Sequence, residues 1–272
     1  MRKTEMRSSR RCGALLPSIG MIGTMIGLVT LAACDASPAA RAASDTTRLT
    51  VHVVARDAKL IGSSVGGARV TVRDAASGEV LAEGVHEGGT GDTGLIMDAR
   101  ERNADVFTTP GAAVYSTALD LATPRMITVE AEGPLDFPQA LTSASTTLLL
   151  VPGEDVAGDG VVLELWGYIV EILEAPEQAA AGSGIDVRAR VRMLCSCPTA
   201  PGGLWEAPAV TARLIGPDGA VAAEEPLEYS GGDSTYEGSL GAPAAGEYRL
   251  EVRAVSAETG NAGRAETTLQ VR

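Results

Sequence analysis

The chain has 272 residues, 45% of them hydrophobic but only two Phe and two Trp, and a formal net charge of −13. The first 33 residues hold one acid and five bases, which leaves 34 acids against 17 bases beyond them, a formal −17. That balance argues against the phosphate neutralisation a nucleic acid requires, so no nucleic-acid partner is expected, and against a polybasic hold on anionic lipid.

Arg2, Lys3, Arg7, Arg10 and Arg11 form a basic opening, and an apolar stretch from Leu15 to Leu31 follows. This is the layout of a secretory signal. Pro17, Ser18, Gly20, Gly23, Thr24 and Gly27 dilute the stretch. A cleaved signal therefore fits better than a spanning anchor, which needs about 20 apolar residues. The stretch ends in Leu31-Ala32-Ala33-Cys34, which resembles the lipobox of bacterial lipoproteins. The resemblance implies a signal peptide over 1–33, acylation of Cys34 with chains of the palmitate type, and a protein held in the cell envelope facing the periplasm. The membrane is then the first partner, reached through Cys34. Ser9-Arg10-Arg11 echoes a twin-arginine signal, but Cys12-Gly13-Ala14 lacks the large apolar pair that follows one. Asp35 resembles an inner-membrane retention signal whose rule varies between lineages, so inner and outer membrane both stay open. Residues 34–47 are small and polar and predict a lipidated tether.

The 239 residues from Cys34 onward suit two domains of about 100 residues each. With so few aromatics the cores must come from Val, Leu, Ile and Ala, which together with Gly-rich turns points to an all-β chain of two antiparallel β-sandwiches.

The first sandwich is expected over 48–152. Leu49, Val51, Val53 and Ala55 alternate with Thr50, His52, Val54 and Arg56, close to the period of two of a half-buried strand. That spacing puts His52 on the polar face. Arg69–Arg73 alternates in the same way, Asp74–Gly78 is turn chemistry, and Glu79–Glu83 returns as a strand. Further strands are predicted at 113–119, 126–131 and 146–151, with Glu101–Asp105 as a polar inserted loop. Gly67–Val72, the Ser77-Gly78 turn and Gly91-Asp92-Thr93-Gly94 resemble the carboxypeptidase-regulatory-like, or transthyretin-like, β-sandwich. Leu95 and Ile96 stand where that family usually places an aromatic residue.

Residues 153–160, rich in Gly and acid, read as a linker. A second sandwich is expected over 161–272. Ile185, Val187, Ala189, Val191 and Met193 face one way, and Asp186, Arg188, Arg190 and Arg192 the other. Gly246–Leu250 resembles the tyrosine-corner approach of immunoglobulin-like domains, with Leu250 in the place of the second core cysteine. The resemblance implies an immunoglobulin-like module without the inter-sheet disulfide.

Candidate chemistry is sparse. Met193-Leu194-Cys195-Ser196-Cys197-Pro198 sits where a strand should end, since Pro198 stops the ladder. In an extended strand Cys195 and Cys197 would lie about 6.6 Å apart, so a disulfide between them needs a bend. An exported compartment favours that oxidation. The alternative is a copper site in which Met193, Cys195 and Cys197 supply the soft sulfur donors that Cu(I) prefers. Two small buried residues beneath Trp205 is the third reading. Structural zinc would need four ligands, and no second Cys pair or His cluster exists. Glu154, Asp155 and Asp159 could offer oxygens to calcium, but their spacing fails the usual loop. Asp92-Thr93-Gly94 has the letters of an aspartic-protease motif without the second copy that chemistry requires, and reads as a surface turn. His52 and His86 are the only histidines, and no Gly-x-Ser-x-Gly elbow accompanies them. The expectation is a non-enzymatic, lipid-anchored envelope module with a protein or glycan partner.

Overall fold

The computed structural model describes residues 45–272. The signal, Cys34 and all of the tether before Asp45 lie outside the described residues. The first seven strands are β1 (Asp45–Ala55), β2 (Ala68–Asp74), β3 (Val80–His86), β4 (Tyr115–Leu121), β5 (Arg125–Gly133), β6 (Thr142–Leu150) and β7 (Val156–Leu165). They form a sheet of order β4-β1-β7 and a sheet of order β3-β2-β5-β6. Leu49, Val51 and Val53 of β1, Val70 and Val72 of β2, and Ile127 and Val129 of β5 are all fully buried. This is the aliphatic core that the composition demands. The β2–β3 turn is set by Asp74, whose carboxylate accepts from the Ala76 and Ser77 amides at 3.0 and 2.7 Å and from the Ser77 hydroxyl at 2.9 Å. The Ser77 amide and hydroxyl hold that carboxyl below its ordinary range. Gly78 then takes φ +75°, a left-handed conformation open to glycine at no steric cost.

Three expectations change here. First, β1 is buried on both sides over Val51–Ala55. The loop that follows the short helix α1 (Thr93–Met97) folds back, and Val106, Phe107 and Ala113 cover Val54 and Leu60 in a second, smaller core. His52 therefore lies inside, 1% exposed, and not on a polar face. Second, Asp92 opens α1: its side chain accepts from the Leu95 amide at 2.9 Å, an N-cap rather than a plain turn. Third, the expected linker at 153–160 runs into β7, which pairs in parallel with β1 from Val51↔Val161 to Ala55↔Leu165. Gly158 and Gly160 take φ +65° and +58° and make an irregularity in the ladder where the β1 register shifts between Leu49 and Val51. A Cβ on Gly160 would press on the Thr50 carbonyl. Gly and acid here mark a kinked strand of the first sandwich, which extends to Leu165.

The second sandwich contains β8 (Tyr168–Glu174), β9 (Gln178–Ala179), β10 (Gly184–Met193), β11 (Ala209–Ile215), β12 (Val221–Gly231), β13 (Thr235–Gly241), β14 (Gly246–Val255) and β15 (Ala262–Val271). Their order is β8-β10-β13-β12-β11-β14-β15-β9. The long β12 pairs with β11 through one half and with β13 through the other, so it carries the chain from one layer to the next. The opening strand is split: β8 lies antiparallel to β10, and β9 lies parallel to β15. Ile185, Val187, Ala189, Val191 and Met193 of β10 face inward as the alternation predicts. The Tyr248 hydroxyl donates to the Ala244 carbonyl at 3.0 Å, closing the tyrosine corner, and Leu250 is fully buried two residues on.

The two sandwiches meet across Trp166 and Gly167. The Arg56 amide donates to the Leu165 carbonyl at 2.8 Å. Asn261, fully buried in the β14–β15 connection, accepts from the Gly167 amide at 3.0 Å and donates to the Arg56 carbonyl at 3.1 Å. The Arg56 guanidinium sits 4.7 Å from the Trp166 ring centroid, and the Gln139 amide donates to the Val170 carbonyl at 3.2 Å. The described residues belong to one compact unit.

Candidate functional site

β10 delivers the Met193–Pro198 loop to the edge of the second sandwich. The strand does not stay extended. The Ser196 amide donates to the Met193 carbonyl at 2.8 Å, and the Met193 amide donates to the Cys197 carbonyl at 3.0 Å. Ser196 takes φ +66°, a left-handed conformation that is uncommon in a non-glycine residue and is held here by the turn's hydrogen bonds. This bend brings Cys195 and Cys197 to a Cα separation of 5.4 Å and joins them as a disulfide. Both are buried, at 1% and 6% exposure, in the same core as Met193 and Trp205.

The loop is braced from below and from the side. Thr199 is fully buried: its amide donates to Ser234 Oγ at 2.9 Å and its hydroxyl to the Val191 carbonyl at 2.7 Å. The Tyr236 hydroxyl lies 3.2 Å from Thr199 Oγ1, and burial pushes its pKa up. Beside the loop, Glu171 of β8 receives Arg190 at 2.9 and 3.0 Å and Arg192 at 2.9 Å. Burial alone would raise the Glu171 carboxyl, but the hydrogen bonds from Arg190 and Arg192 outweigh it and hold the pKa low. Arg192 also bonds the Ser196 hydroxyl and lies 5.7 Å from the Phe137 ring centroid of the first sandwich. Arg190 reaches Asp233 at 2.8 Å. The outward residues of β10 thus tie the Cys loop to β8 and to the junction.

In this redox state the donor set for Cu(I) does not assemble. The two sulfurs are bonded to each other and supply no thiolate, and Met193 is spent on the core. Ligation by Met193, Cys195 and Cys197 requires reduction first. Protein purified without reductant is expected to show Cys195 and Cys197 closed to alkylation, by intact mass, and to take up no Cu(I) against a competing chelator. Two alkylated positions would overturn the bond.

The histidines are brought together, with ring centroids 6.2 Å apart. His86 Nε2 accepts from the Val53 amide at 3.1 Å, and Nδ1 donates to the Ile61 carbonyl at 2.9 Å. Burial drives its pKa down to about 4, with His52 adding to the depression. Both ring nitrogens of this neutral imidazole are committed to backbone, so it has no free position for proton transfer. His52 Nδ1 bonds the Asp159 carbonyl at 2.8 Å.

The three linker acids do not converge. Asp155 binds the Arg48 amide at 2.7 Å and its guanidinium at 3.2 Å. Asp159 accepts from the Val106 and Phe107 amides, each at 2.8 Å, and so pins the loop over β1. Among the described residues no group of three or more His, Cys, Asp or Glu is placed to hold a metal ion. Asn261 and Glu171 are anchoring polar groups that sequence reasoning missed, and Asp159, read there as a possible calcium ligand, anchors a loop instead. Only Glu171 carried a signal, as an acid on a strand pairing with an Arg-rich one.

No protein-family model matches the chain, and no curated protein matches it. Among solved structures, it is similar to domains 4 and 5 of the S-layer protein SbsC at 10% identity and TM-score 0.25, over 52% of this chain and 64% of that one. The Clostridium thermocellum CbhA fibronectin(III)-like modules match at 10% identity and TM-score 0.27, over 84% and 94%. Titin domains z1z2, in a complex with telethonin, match at 14% identity and TM-score 0.23, over 84% and 95%. The strand order and the Tyr248 corner themselves make the second sandwich immunoglobulin-like.

Proposed function

We propose that this protein is a lipid-anchored module of the cell envelope that binds or spaces other envelope components without catalysing a reaction. The observation that supports it best is the use made of the reactive side chains. His86 is bonded at both ring nitrogens, Asp92 caps a helix, and Asp159 holds a loop, so each serves the scaffold. The Asn261 bridge fixes one sandwich on the other, which suits a spacer that presents faces and edges to a protein or glycan partner. Sandwich folds carry no reaction of their own, and function rests on the surfaces they display.

The anchor is tested through Cys34. Two or more buried acyl chains hold a protein on a bilayer where one barely does. Cys34→Ser is expected to abolish incorporation of a fatty-acid probe and to release the protein from the membrane fraction. Equal labelling and retention in the variant would overturn the lipid anchor.

A further inference from the structure

The six edge strands of the two sandwiches are not alike. An open edge offers a row of unpaired N–H and C=O groups, and proteins blunt such edges with charge, Gly, Pro, bulges or short length. β3 carries Glu83 and Gly84, β4 carries Asp120, and β7 carries Asp159 between two glycines. β8 carries Glu171 and Glu174, and β9 is two residues long. β6, Thr142–Leu150, has none of these devices. It is nine residues of sequence TSASTTLLL, pairs with β5 in unbroken register from Gly133↔Thr142 to Arg125↔Leu150, and ends its sheet. On the outer face beside it, Met126 and Leu149 are register partners and are 47% and 53% exposed.

We infer that β6 is a pairing edge for β6 of a second copy of this chain, joined antiparallel about a two-fold axis at Thr146. Two features select a second copy as the occupant. The chain is strongly acidic, so two copies repel wherever their charged surfaces meet, and among the described edge strands longer than two residues β6 alone carries no charged side chain. The strand is also self-complementary in size. Its first half is small and its second half large, and the two-fold sets Ser143 against Leu149, Ala144 against Leu148, and Ser145 against Thr147. Each copy then places its small half under the other's leucines, and every outward backbone group of the edge gains a partner. A lone strand pair buries less than the about 800 Å² per partner of a standard interface, so the dimer is weak and is best caught covalently.

The test uses the full chain carrying Thr146→Cys. Residues opposite one another in an antiparallel pair lie about 4.5–5.5 Å apart at Cα, within disulfide range. Mild oxidation is expected to give a species of twice the mass on a non-reducing gel, while Ala76→Cys, on the exposed β2–β3 turn, stays monomeric. Adding Ser145→Lys and Thr147→Lys sets lysine against lysine twice across the two-fold and should cut the cross-linked fraction about tenfold. Both positions are exposed, and an unchanged thermal melt checks that the fold survives. Cross-linking no greater than that of Ala76→Cys would overturn the pairing. So would a dimer indifferent to the lysines, or a cross-linked product of another mass.

Discussion

Acidification from pH 7 to pH 4 is expected to remove about 3 kcal/mol of stability through His86 alone. The ring is fully buried, and burial brings its pKa from 6.5 to about 4. The sign follows from proton counting. Between those two values the unfolded chain carries a proton on His86 that the folded chain refuses. Stability therefore falls as pH falls through that window, and the loss is complete below about pH 4. Each factor of ten in proton affinity between the folded and unfolded chain is worth about 1.4 kcal/mol. The geometry explains the refusal. Nε2 has the Val53 amide pointing at its lone pair at 3.1 Å, so a proton there would set two donors face to face, with His52 nearby. Chemical denaturation at pH 7, 5.5 and 4, on wild type and His86→Gln, separates this group from the carboxylates. The variant should be weaker at pH 7, because one or both backbone partners lose their bond, and flatter between pH 6.5 and 4. Parallel pH profiles for the two proteins would contradict the assignment.

The strands that alternate cleanly were the ones legible in advance. β10 buries one face and leaves the other open to water, as a period of two states directly, and β2 follows that period at Ala68, Val70 and Val72, although Thr71 between them is covered as well. The Tyr248 corner was legible because it is local: hydroxyl and carbonyl lie four residues apart. What escaped depends on distant neighbours. β1 shows alternation, yet the loop carrying Val106 and Phe107 covers its second face and takes His52 inside. β7 has the composition of a linker because its kink needs two left-handed glycines, and only pairing with β1 makes a strand of it. At the candidate site, Pro198 signalled that β10 must end near Cys197. The left-handed Ser196 that closes the bend had no signature of its own. The loop's supports, Glu171 and Ser234, come from strands that only the folded sheet brings alongside it.

Asn261→Ala is expected to destabilise the protein by about 2–4 kcal/mol and to loosen one sandwich from the other. Asn261 lies within Thr259-Gly260-Asn261-Ala262-Gly263, where an asparagine reads as turn chemistry, and the turn does hold it: its amide donates to Thr259 Oγ1 at 3.2 Å and its carbonyl accepts from the Ser256 amide at 2.9 Å. The side chain reaches out of the turn to two backbone groups. One is the Gly167 amide in the junction, and the other is the Arg56 carbonyl, 205 residues away in sequence at the end of β1. Truncation leaves the buried Gly167 amide and the part-buried Arg56 carbonyl without their partner; the first costs about 1–3 kcal/mol and the second, nearer water, about 1 kcal/mol. Asn261→Asp is the sharper probe. It keeps the acceptor for Gly167 but turns the donor into an oxygen facing the Arg56 carbonyl, and it buries a charge, so it should be no better than alanine. Wild type is expected to unfold in urea in one transition that couples the sandwiches. In either variant the transition should split or broaden, and the maximum dimension from small-angle scattering should increase as the joint at Trp166-Gly167 opens. A variant with wild-type unfolding and an unchanged scattering profile would show that Arg56 stacking on Trp166 and the Gln139–Val170 bond hold the junction without Asn261.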